Sequence, residues 1–261
     1  MTPILLLGAG RMGGALIEGW RKAGAFGLAD LMVRDPHPSA ELTALSGLSL
    51  NPPDQEFGRA GTVLLAVKPQ LWREAAAQAA PHLAPDAVIV SIAAGVAAAD
   101  ISQAFGGRRV ARVMPTTAVA IGQGTASLFA DDPEARARAH ALFAPVARVV
   151  DLDDEAFMHA ATAVSGSAPA YLYAFVEALE AGGVKAGLTE EQSRTLARST
   201  ISGAAALLAI SGEDPAELRK QVTSPGGTTQ AALEVLMGNG GLEPLLADAV
   251  EAAVARSKEL G

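Results

Sequence analysis

Three glycines with a fixed spacing are the first residues of this chain that point to a chemistry. Gly8, Gly10 and Gly13 form a Gly-x-Gly-x-x-Gly pattern directly after the apolar run 4–7, where an amphipathic stretch begins. In a strand–turn–helix unit, the first glycine makes a tight turn and the second lets the backbone approach a pyrophosphate. The third lets the helix pack closely on the strand. Since the amides of a helix N-terminus bind phosphate charge, the pattern predicts a dinucleotide-binding turn.

The end of the predicted second strand bears on which dinucleotide binds. That strand, residues 31–33, is followed by Arg34 and Asp35. An arginine here pairs with the 2′-phosphate of NADPH, whereas an acid accepts a hydrogen bond from the ribose of NADH. We interpret Arg34 as the phosphate ligand, which favours NADPH and leaves NADH as the alternative. Asp35 is then either a ribose ligand or a surface charge before Pro36.

A second polar cluster lies at residues 223–229, with the sequence TSPGGTT. Two glycines and several hydroxyls at a helix start are typical of an anion nest, in which backbone amides converge on a negative group. The small volume suits a carboxylate better than a second dinucleotide. The alternative is a plain helix cap, because serine and threonine favour that position. We favour the anion-binding interpretation.

A reductase that uses a nicotinamide dinucleotide usually needs a proton donor beside its substrate. The obvious donors are missing from these patterns. His82, His140 and His159 occur in separate segments, and neither a Ser-His-Asp triad nor a metal-ligand cluster can be assembled. No metal site is therefore predicted. Lys68 follows the predicted strand 62–67, and ligands bind where such strands end. It is a candidate to contact the cofactor or donate a proton, with a surface lysine as the alternative.

The elements that must position these residues change in character along the chain. Unalternating apolar runs predict strands at 4–7, 31–33, 62–67, 87–92, 110–114 and 147–150, separated by helical segments. Such strands are buried on both faces, as in a parallel sheet covered by helices. The prediction is an α/β, Rossmann-like doubly wound domain over residues 1–152. Residues 153–261 are predicted to form an all-helical domain.

The helical half indicates a subunit partner. Residues 203–210, with the sequence GAAALLAI, have no obvious solvent face, and a helix that is apolar all round must be buried. We predict a homo-oligomer in which this half packs against a second copy. The alternative is a core helix wrapped by its own domain.

Composition excludes several other classes. The 261 residues carry 20 Lys and Arg against 28 Asp and Glu, a net charge of −8, which argues against a nucleic-acid partner. The absence of cysteine excludes a disulfide framework and a thiolate nucleophile. The most apolar stretch, residues 87–99, is shorter than the roughly 18–20 residues of a membrane span. No signal peptide is indicated, so a cytoplasmic protein without a membrane partner is expected.

Taken together, these segments resemble the pyrroline-5-carboxylate reductase family almost from end to end. The resemblance is carried by residues 8–13, 67–70, 91–95, 113–115, 163–171 and 215–236. The last of these includes the sequence VTSPGGTT and is the most specific. The resemblance implies an enzyme of proline biosynthesis that reduces the cyclic imine 1-pyrroline-5-carboxylate with a nicotinamide cofactor. It also implies homodimers formed through the helical domain, assembling further into decamers.

The resemblance also assigns roles to residues. Thr229 takes the position of the hydroxyl that hydrogen-bonds the ring nitrogen, as the catalytic residue. The amides of Gly226, Gly227 and Thr228 would hold the substrate carboxylate, Ser224 would shape the loop, and Ser165 would contribute to the rest of the pocket. The implied cofactor contacts are Gly8, Gly10, Arg11, Met12, Gly13, Arg34, Ala66, Lys68, Pro69 and Thr116.

Two departures from the family pattern and two other functions stay open. Thr116 stands where the family usually has asparagine, and Ala168 where glycine is common, so affinity and the preferred substrate stay open. A related imine or β-hydroxyacid dehydrogenase would need a lysine acid such as Lys185. Its position near a helix end is typical of a charge that matches the helix dipole. The alternative from a different class is a non-catalytic NADP-binding sensor.

Overall fold

The first strand, β1 (Ile4–Leu7), is buried on both of its faces. Ile4 and Leu6 belong to one apolar cluster, and Leu5 and Leu7 to another. Because successive side chains of a strand point to opposite faces, the two clusters are the two cores on either side of the sheet. A computed structural model describes residues 1–259 of the chain.

The strands form one twisted sheet whose order is β3-β2-β1-β4-β5-β6-β7-β8. After β1, the strands of the described residues are β2 (Leu31–Arg34), β3 (Ser49–Leu50), β4 (Thr62–Leu65), β5 (Val88–Ser91), β6 (Val110–Pro115), β7 (Gly124–Phe129) and β8 (Ala147–Asp151). Neighbouring strands are parallel, except that β7 runs antiparallel to β6. Strands β2 and β3 lie on one side of β1 and strands β4 to β8 lie on the other, so the strand order reverses at β1.

The helices of the same residues alternate with these strands and then continue alone. They are α1 (Arg11–Ala23), α2 (Ala40–Thr43), α3 (Trp72–Ala79), α4 (Ala98–Ala104), α5 (Pro133–Phe143), α6 (Phe157–Ala161), α7 (Ala168–Lys185), α8 (Glu190–Ser211), α9 (Pro215–Gln221), α10 (Thr228–Leu236) and α11 (Leu242–Glu259). A π turn, Thr162–Gly166, follows α6. None of the described helices is long and apolar enough to cross a membrane.

Helix α1 shows how the sequence pattern leads to packing. Its buried residues include Leu16, Ile17 and Trp20, which share one helical face. The indole Nε1 of Trp20 donates to the carbonyl oxygen of Leu142 at 2.7 Å, so a large buried side chain keeps its polar atom satisfied. The helix ends at Gly24 in the left-handed conformation. This packing fixes the N-terminus of α1, where the glycine turn lies.

The predicted α/β fold class is confirmed, with one correction to the sheet. The sequence predicted a fully parallel sheet, and strands β3 and β7 were not among the predicted strands. β7 has the sequence GTASLF, which lacks the continuous apolar run of the other central strands. A short connection, residues 116–123, returns the chain beside β6, and only an antiparallel neighbour can be reached that way.

The chain divides into two compact units. Residues 1–166, with residues 253–259, form one unit, and residues 167–252 form the other. The predicted boundary after Leu152 follows the end of β8, whereas the units divide after Gly166. The reason is that α6 and the π turn contact β7, and the π turn also contacts β6.

The unit of residues 167–252 has almost no core of its own. Within it only Ser193 and Ala197 are buried, both on α8. Large apolar side chains are instead exposed to solvent, among them Ile210 at 82% and Val235 at 78%. Many large exposed apolar side chains on one helical unit with so few buried residues indicate an interaction face.

Candidate active site

The glycine turn needs each of its glycines for a different reason. Gly8 has a φ of +92°, and a Cβ there would lie 2.9 Å from Cγ1 of Val67. At Gly13, a Cβ would lie 2.4 Å from the carbonyl oxygen of Gly8, so the helix approaches the strand too closely for any side chain. No atom lies within 4 Å of a Cβ placed on Gly10. The open side of the turn is therefore at Gly10, directly before the N-terminus of α1.

A cavity of about 690 Å³ opens at this turn. Its walls come from the residues that end or follow strands β1, β2, β4, β5 and β6, at the carboxyl edge of the sheet. They are Gly8, Gly10, Arg11, Met12, Asp35, Pro36, His37, Ala66, Val67, Lys68, Leu71, Ile92, Met114 and Pro115. Open α/β sheets bind ligands where the strand order reverses, and this cavity lies there.

The structure brings most of the predicted cofactor residues to this cavity. Arg11, Met12, Ala66 and Lys68 line it with Gly8 and Gly10, while Gly13 lies beneath the turn. The cavity is also lined by His37, Ile92 and Met114, which are not among the predicted cofactor residues. Sheet topology could have indicated them, because each of the three ends or follows a strand at the same edge of the sheet.

Asp35 and Arg34 point to different places. The Asp35 carboxylate accepts a hydrogen bond from the amide of Ala9 at 2.7 Å and another from the amide of His37 at 2.8 Å. It therefore borders the main cavity beside the glycine turn. Arg34 instead donates to Oδ1 of Asp54 at 2.8 Å and borders a smaller cavity of about 160 Å³. Arg34 is the residue predicted to bind the 2′-phosphate, and in this structure its guanidinium is paired with Asp54.

Two other predicted cofactor residues have structural partners. The Thr116 hydroxyl accepts from the amide of Thr125 at 3.0 Å, and the two backbones pair as well, so this buried residue joins β6 to β7. Pro69 begins a short 3-10 turn, Pro69–Leu71, after Lys68. Neither residue lines the main cavity, although Thr116 directly follows Pro115, which does.

Ser165 lies in the π turn. Its hydroxyl donates to the carbonyl oxygen of Ala161 at 2.7 Å. A Cβ on the next residue, Gly166, would lie 3.4 Å from Cγ of Met114, which lines the cavity wall. The π turn is therefore packed close to the cavity edge at β6, and π turns inside helices are frequent at functional sites.

The loop at residues 223–229 is a tight turn into α10. Gly226 has a φ of +71°, and its amide donates to Oε1 of Gln230 at 2.7 Å. The amide of Gly227 donates to the carbonyl oxygen of Ser224 at 3.0 Å. Thr228 and Thr229 form the first turn of α10. The amides expected to hold a carboxylate thus include two that already have acceptors within the loop.

One histidine has a perturbed environment, away from the main cavity. Nδ1 of His159 lies 2.9 Å from the Ser257 hydroxyl. Burial lowers the pKa of His159, and the charges of Arg112 and Lys258 lower it further, while Glu155 acts in the opposite direction. Arg112 is buried and pairs with Glu155 at 2.8 Å. This cluster joins β6, α6 and α11 and does not border the cavity.

The doubly wound sheet, the glycine turn and the cavity at its carboxyl edge define a dinucleotide-binding protein of the Rossmann type. Residues 3–95 match the family model described as NADP oxidoreductase, coenzyme F420-dependent, and residues 155–260 match that of pyrroline-5-carboxylate reductase dimerisation. The pyrroline-5-carboxylate reductase of Pseudomonas aeruginosa is 39% identical, over 99% of this chain and 97% of that protein. The chain belongs to the pyrroline-5-carboxylate reductase family.

Solved structures agree with this assignment. A pyrroline-5-carboxylate reductase from Coxiella burnetii superposes with a TM-score of 0.91 at 29% identity, covering 100% of this chain and 98% of the other. The pyrroline carboxylate reductase of Plasmodium falciparum, crystallised with NADP bound, has a TM-score of 0.86 at 27% identity. The match covers 100% of this chain and 98% of the Plasmodium chain. The resemblance stated from the sequence motifs is confirmed.

Proposed function

We propose that this chain is an oxidoreductase that reduces 1-pyrroline-5-carboxylate to L-proline with NADPH as the reductant. The observation that carries the proposal is the glycine-lined cavity at the carboxyl edge of the sheet. It occurs in a chain aligned over 99% of its length with a curated pyrroline-5-carboxylate reductase. The NADP in the Plasmodium structure supports the choice of cofactor.

The residues of the cavity fit a dinucleotide. The open side of Gly10 leaves room for a pyrophosphate against the backbone, and the first amides of α1 have no partner within the helix. Lys68 and Arg11 add positive charge to the same cavity. When bound, NADPH supplies the hydride that reduces the C=N carbon. Ala66, Met12 and the neighbouring Pro69 and Thr116 complete the proposed cofactor contacts.

The substrate contacts are proposed from the loop before α10. The Thr229 hydroxyl hydrogen-bonds the ring nitrogen and holds its proton, and the amide of Thr228 with those of Gly226 and Gly227 binds the carboxylate. Binding then requires the Gly226 amide to exchange Gln230 Oε1 for a carboxylate oxygen. Ser224 shapes the loop, because its carbonyl oxygen accepts from the Gly227 amide, and that amide must likewise exchange this acceptor for a carboxylate oxygen. Ser165 is a further proposed substrate contact.

No strong acid is needed for this reaction. A cyclic imine is basic enough to arrive protonated, and the positive charge on nitrogen makes the ring carbon electrophilic. A hydroxyl that holds the N–H in position is then sufficient, since the charge on nitrogen is neutralised as the carbon is reduced. This accounts for a site in which Thr229 takes the place of a histidine.

The functional unit in this proposal is a homodimer, assembling further into decamers. Apolar side chains exposed on residues 167–252 support it, because a helical unit with two buried residues needs a partner to cover its surface. The matched dimerisation model covers the same residues. Analytical ultracentrifugation tests this directly, since a monomer in solution contradicts the dimer and a dimer contradicts the decamer. A cytoplasmic location is part of the proposal.

The proposal is tested by following NADPH absorbance with two substrate classes. We expect oxidation of NADPH that depends on 1-pyrroline-5-carboxylate, and no reduction of NADP⁺ with β-hydroxyacids. Turnover of a β-hydroxyacid that requires Lys185 would instead assign the chain to the related dehydrogenases. Cofactor binding without turnover of either class would indicate a sensor.

A further inference from the structure

We propose that Glu155 is a positioning residue for the cofactor, because its carboxylate holds three segments that border the main cavity although Glu155 does not line the cavity itself. These segments are the loop of residues 92–97 after β5, the end of β6, and the π turn, Thr162–Gly166. This inference rests on the proposed function for the identity of the cofactor. Its test is cofactor binding, which does not require turnover.

The loop after β5 is tied to β6 at both of its ends. At its start, Ser91 of β5 is paired with Arg112 of β6 in the parallel sheet. At its end, the amide of Ala98 donates to Oε1 of Glu155 at 2.7 Å, and the same oxygen accepts from Nη1 of Arg112 at 2.8 Å. Since Ile92 of this loop lines the cavity, the shape of that wall depends on Glu155.

Glu155 also supplies the cap that α4 lacks in its own segment. The N-cap residue Ala97 has no side-chain oxygen that could accept from the first amides of the helix. A carboxylate at a helix N-terminus satisfies one of these amides and interacts favourably with the helix dipole. Without Glu155, the Ala98 amide loses this acceptor, and the loop is no longer tied to β6 at its second end.

The segment that begins at Glu155 follows one face of β6 to the cavity. Arg112 and Met114 are two residues apart on this strand, so their side chains point to the same face. Glu155 contacts Arg112 at one end of the segment. At the other end Gly166 lies against Met114, which lines the cavity. Glu155 therefore fixes the start of the segment that ends in the π turn.

The burial of the ion pair allows positioning to be separated from stability. The Arg112 side chain is 5% exposed, and that of Glu155 is 30% exposed. Removal of the carboxylate alone leaves a buried unpaired charge, which is strongly destabilising. Replacement of both partners by apolar side chains is often neutral. A variant without the pair can therefore be stable and still lack the hydrogen bond to Ala98.

The test measures the dissociation constant of NADP⁺ by titration calorimetry well below the melting temperature, where the stoichiometry reports the folded fraction. Glu155→Ala should raise this constant about tenfold, as expected for loss of a charge-assisted hydrogen bond. Glu155→Gln keeps an oxygen that can accept from Ala98 and should stay within about threefold of the wild type. Because the π turn carries Ser165, KM for the imine at saturating NADPH should also rise in Glu155→Ala.

The combined variant Arg112→Met, Glu155→Leu gives the sharper readout, and it carries the test together with Glu155→Gln if Glu155→Ala folds poorly. Its melting temperature should exceed that of Glu155→Ala, because no unpaired charge remains. Its dissociation constant for NADP⁺ should stay about tenfold above that of the wild type, because the Ala98 amide still has no acceptor.

Asp132→Ala is the matched control. The Asp132 carboxylate likewise accepts from a helix amide, that of Ala135 at 2.9 Å, and lies 3.6 Å from Nε of Arg109. It caps α5, which does not line the main cavity. This variant should lower the melting temperature and leave the dissociation constant of NADP⁺ unchanged.

The outcomes separate this inference from the proposed function. A dissociation constant that is unchanged in Glu155→Ala, or that returns to the wild-type value in the combined variant, would overturn the inference and leave the function intact. An unchanged KM in Glu155→Ala would overturn its role at the π turn. Dissociation constants that respond as described, in a protein that does not reduce the imine, would support the inference and contradict the function.

Discussion

The amide of Gly226 donates a hydrogen bond to Oε1 of Gln230, at 2.7 Å. The donor lies in the loop before α10, and the acceptor lies in the first turns of that helix. The same amide is one of three that we propose to bind the substrate carboxylate. On that proposal, Gln230 occupies a binding position and competes with the substrate for it.

Gln230→Ala should lower KM for 1-pyrroline-5-carboxylate by up to about fivefold, the worth of one intramolecular hydrogen bond of about 1 kcal/mol. Gln230→Glu should raise KM, because a second carboxylate at this position repels that of the substrate. Steady-state kinetics at saturating NADPH measures both. Gln103→Ala, an exposed glutamine in the other compact unit, is the control. An unchanged KM in both Gln230 variants would show that this amide does not bind the substrate.

Thr229→Ala should reduce kcat much more than it changes the dissociation constant of NADPH. The reason is that its hydroxyl is proposed to hold the ring nitrogen, whereas the cofactor contacts lie on other residues. Thr229→Ser keeps a hydroxyl and should recover most of the rate. Turnover of Thr229→Ala at the wild-type rate would remove this residue from the mechanism.

The glycine turn allows a comparison of three single substitutions. Gly13→Ala forces a methyl to 2.4 Å from a backbone oxygen, so we expect a loss of about 1–3 kcal/mol in the free energy of unfolding. Gly10→Ala meets no atom within 4 Å and should fold normally but bind the dinucleotide more weakly. Gly14→Ala, at 3.6 Å from the nearest atom, is the control. Thermal melting with calorimetry distinguishes them, and unimpaired cofactor binding by Gly10→Ala would contradict the proposed pyrophosphate position.

These sites show how far the sequence could predict the structure. The apolar run of β1 and the helix Pro133–Phe143 were predictable, because burial on two faces and an Asp132 cap followed by proline leave clear patterns. The strand β7 was not, since its small and polar residues carry no strong pattern. Its place depends on the antiparallel pairing with β6, a contact between segments that sequence patterns do not specify.

The choice between Arg34 and Asp35 was also beyond sequence patterns. Adjacent residues at the end of a strand point to opposite faces, so one of the two must turn away from the cofactor cavity. Which one does so depends on the side of the sheet that carries the glycine turn. The hydrogen bond from the Gly226 amide to Gln230 was likewise beyond sequence patterns. The spacing places Gln230 one helical turn away but does not determine the rotamer of its side chain.

The His159 cluster predicts a dependence of stability on pH. The pKa of His159 is lowered in the folded protein by burial and by Arg112, and the unfolded value is about 6.5. As the pH falls below about 6.5, the unfolded state therefore binds the proton more readily, and stability is lost. His159→Asn should reduce the fall in melting temperature between neutral and mildly acidic pH, and His82→Asn should not. An unchanged pH dependence in His159→Asn would contradict the effect.

The most direct test of the account is to quantify the product. Purified protein is mixed with NADPH and 1-pyrroline-5-carboxylate, and L- and D-proline are separated by chiral chromatography while cofactor absorbance is followed. We expect one L-proline to form for each NADPH consumed, with a greatly reduced rate in Thr229→Ala. Absence of proline, or consumption of NADPH that does not depend on the imine, would contradict this expectation.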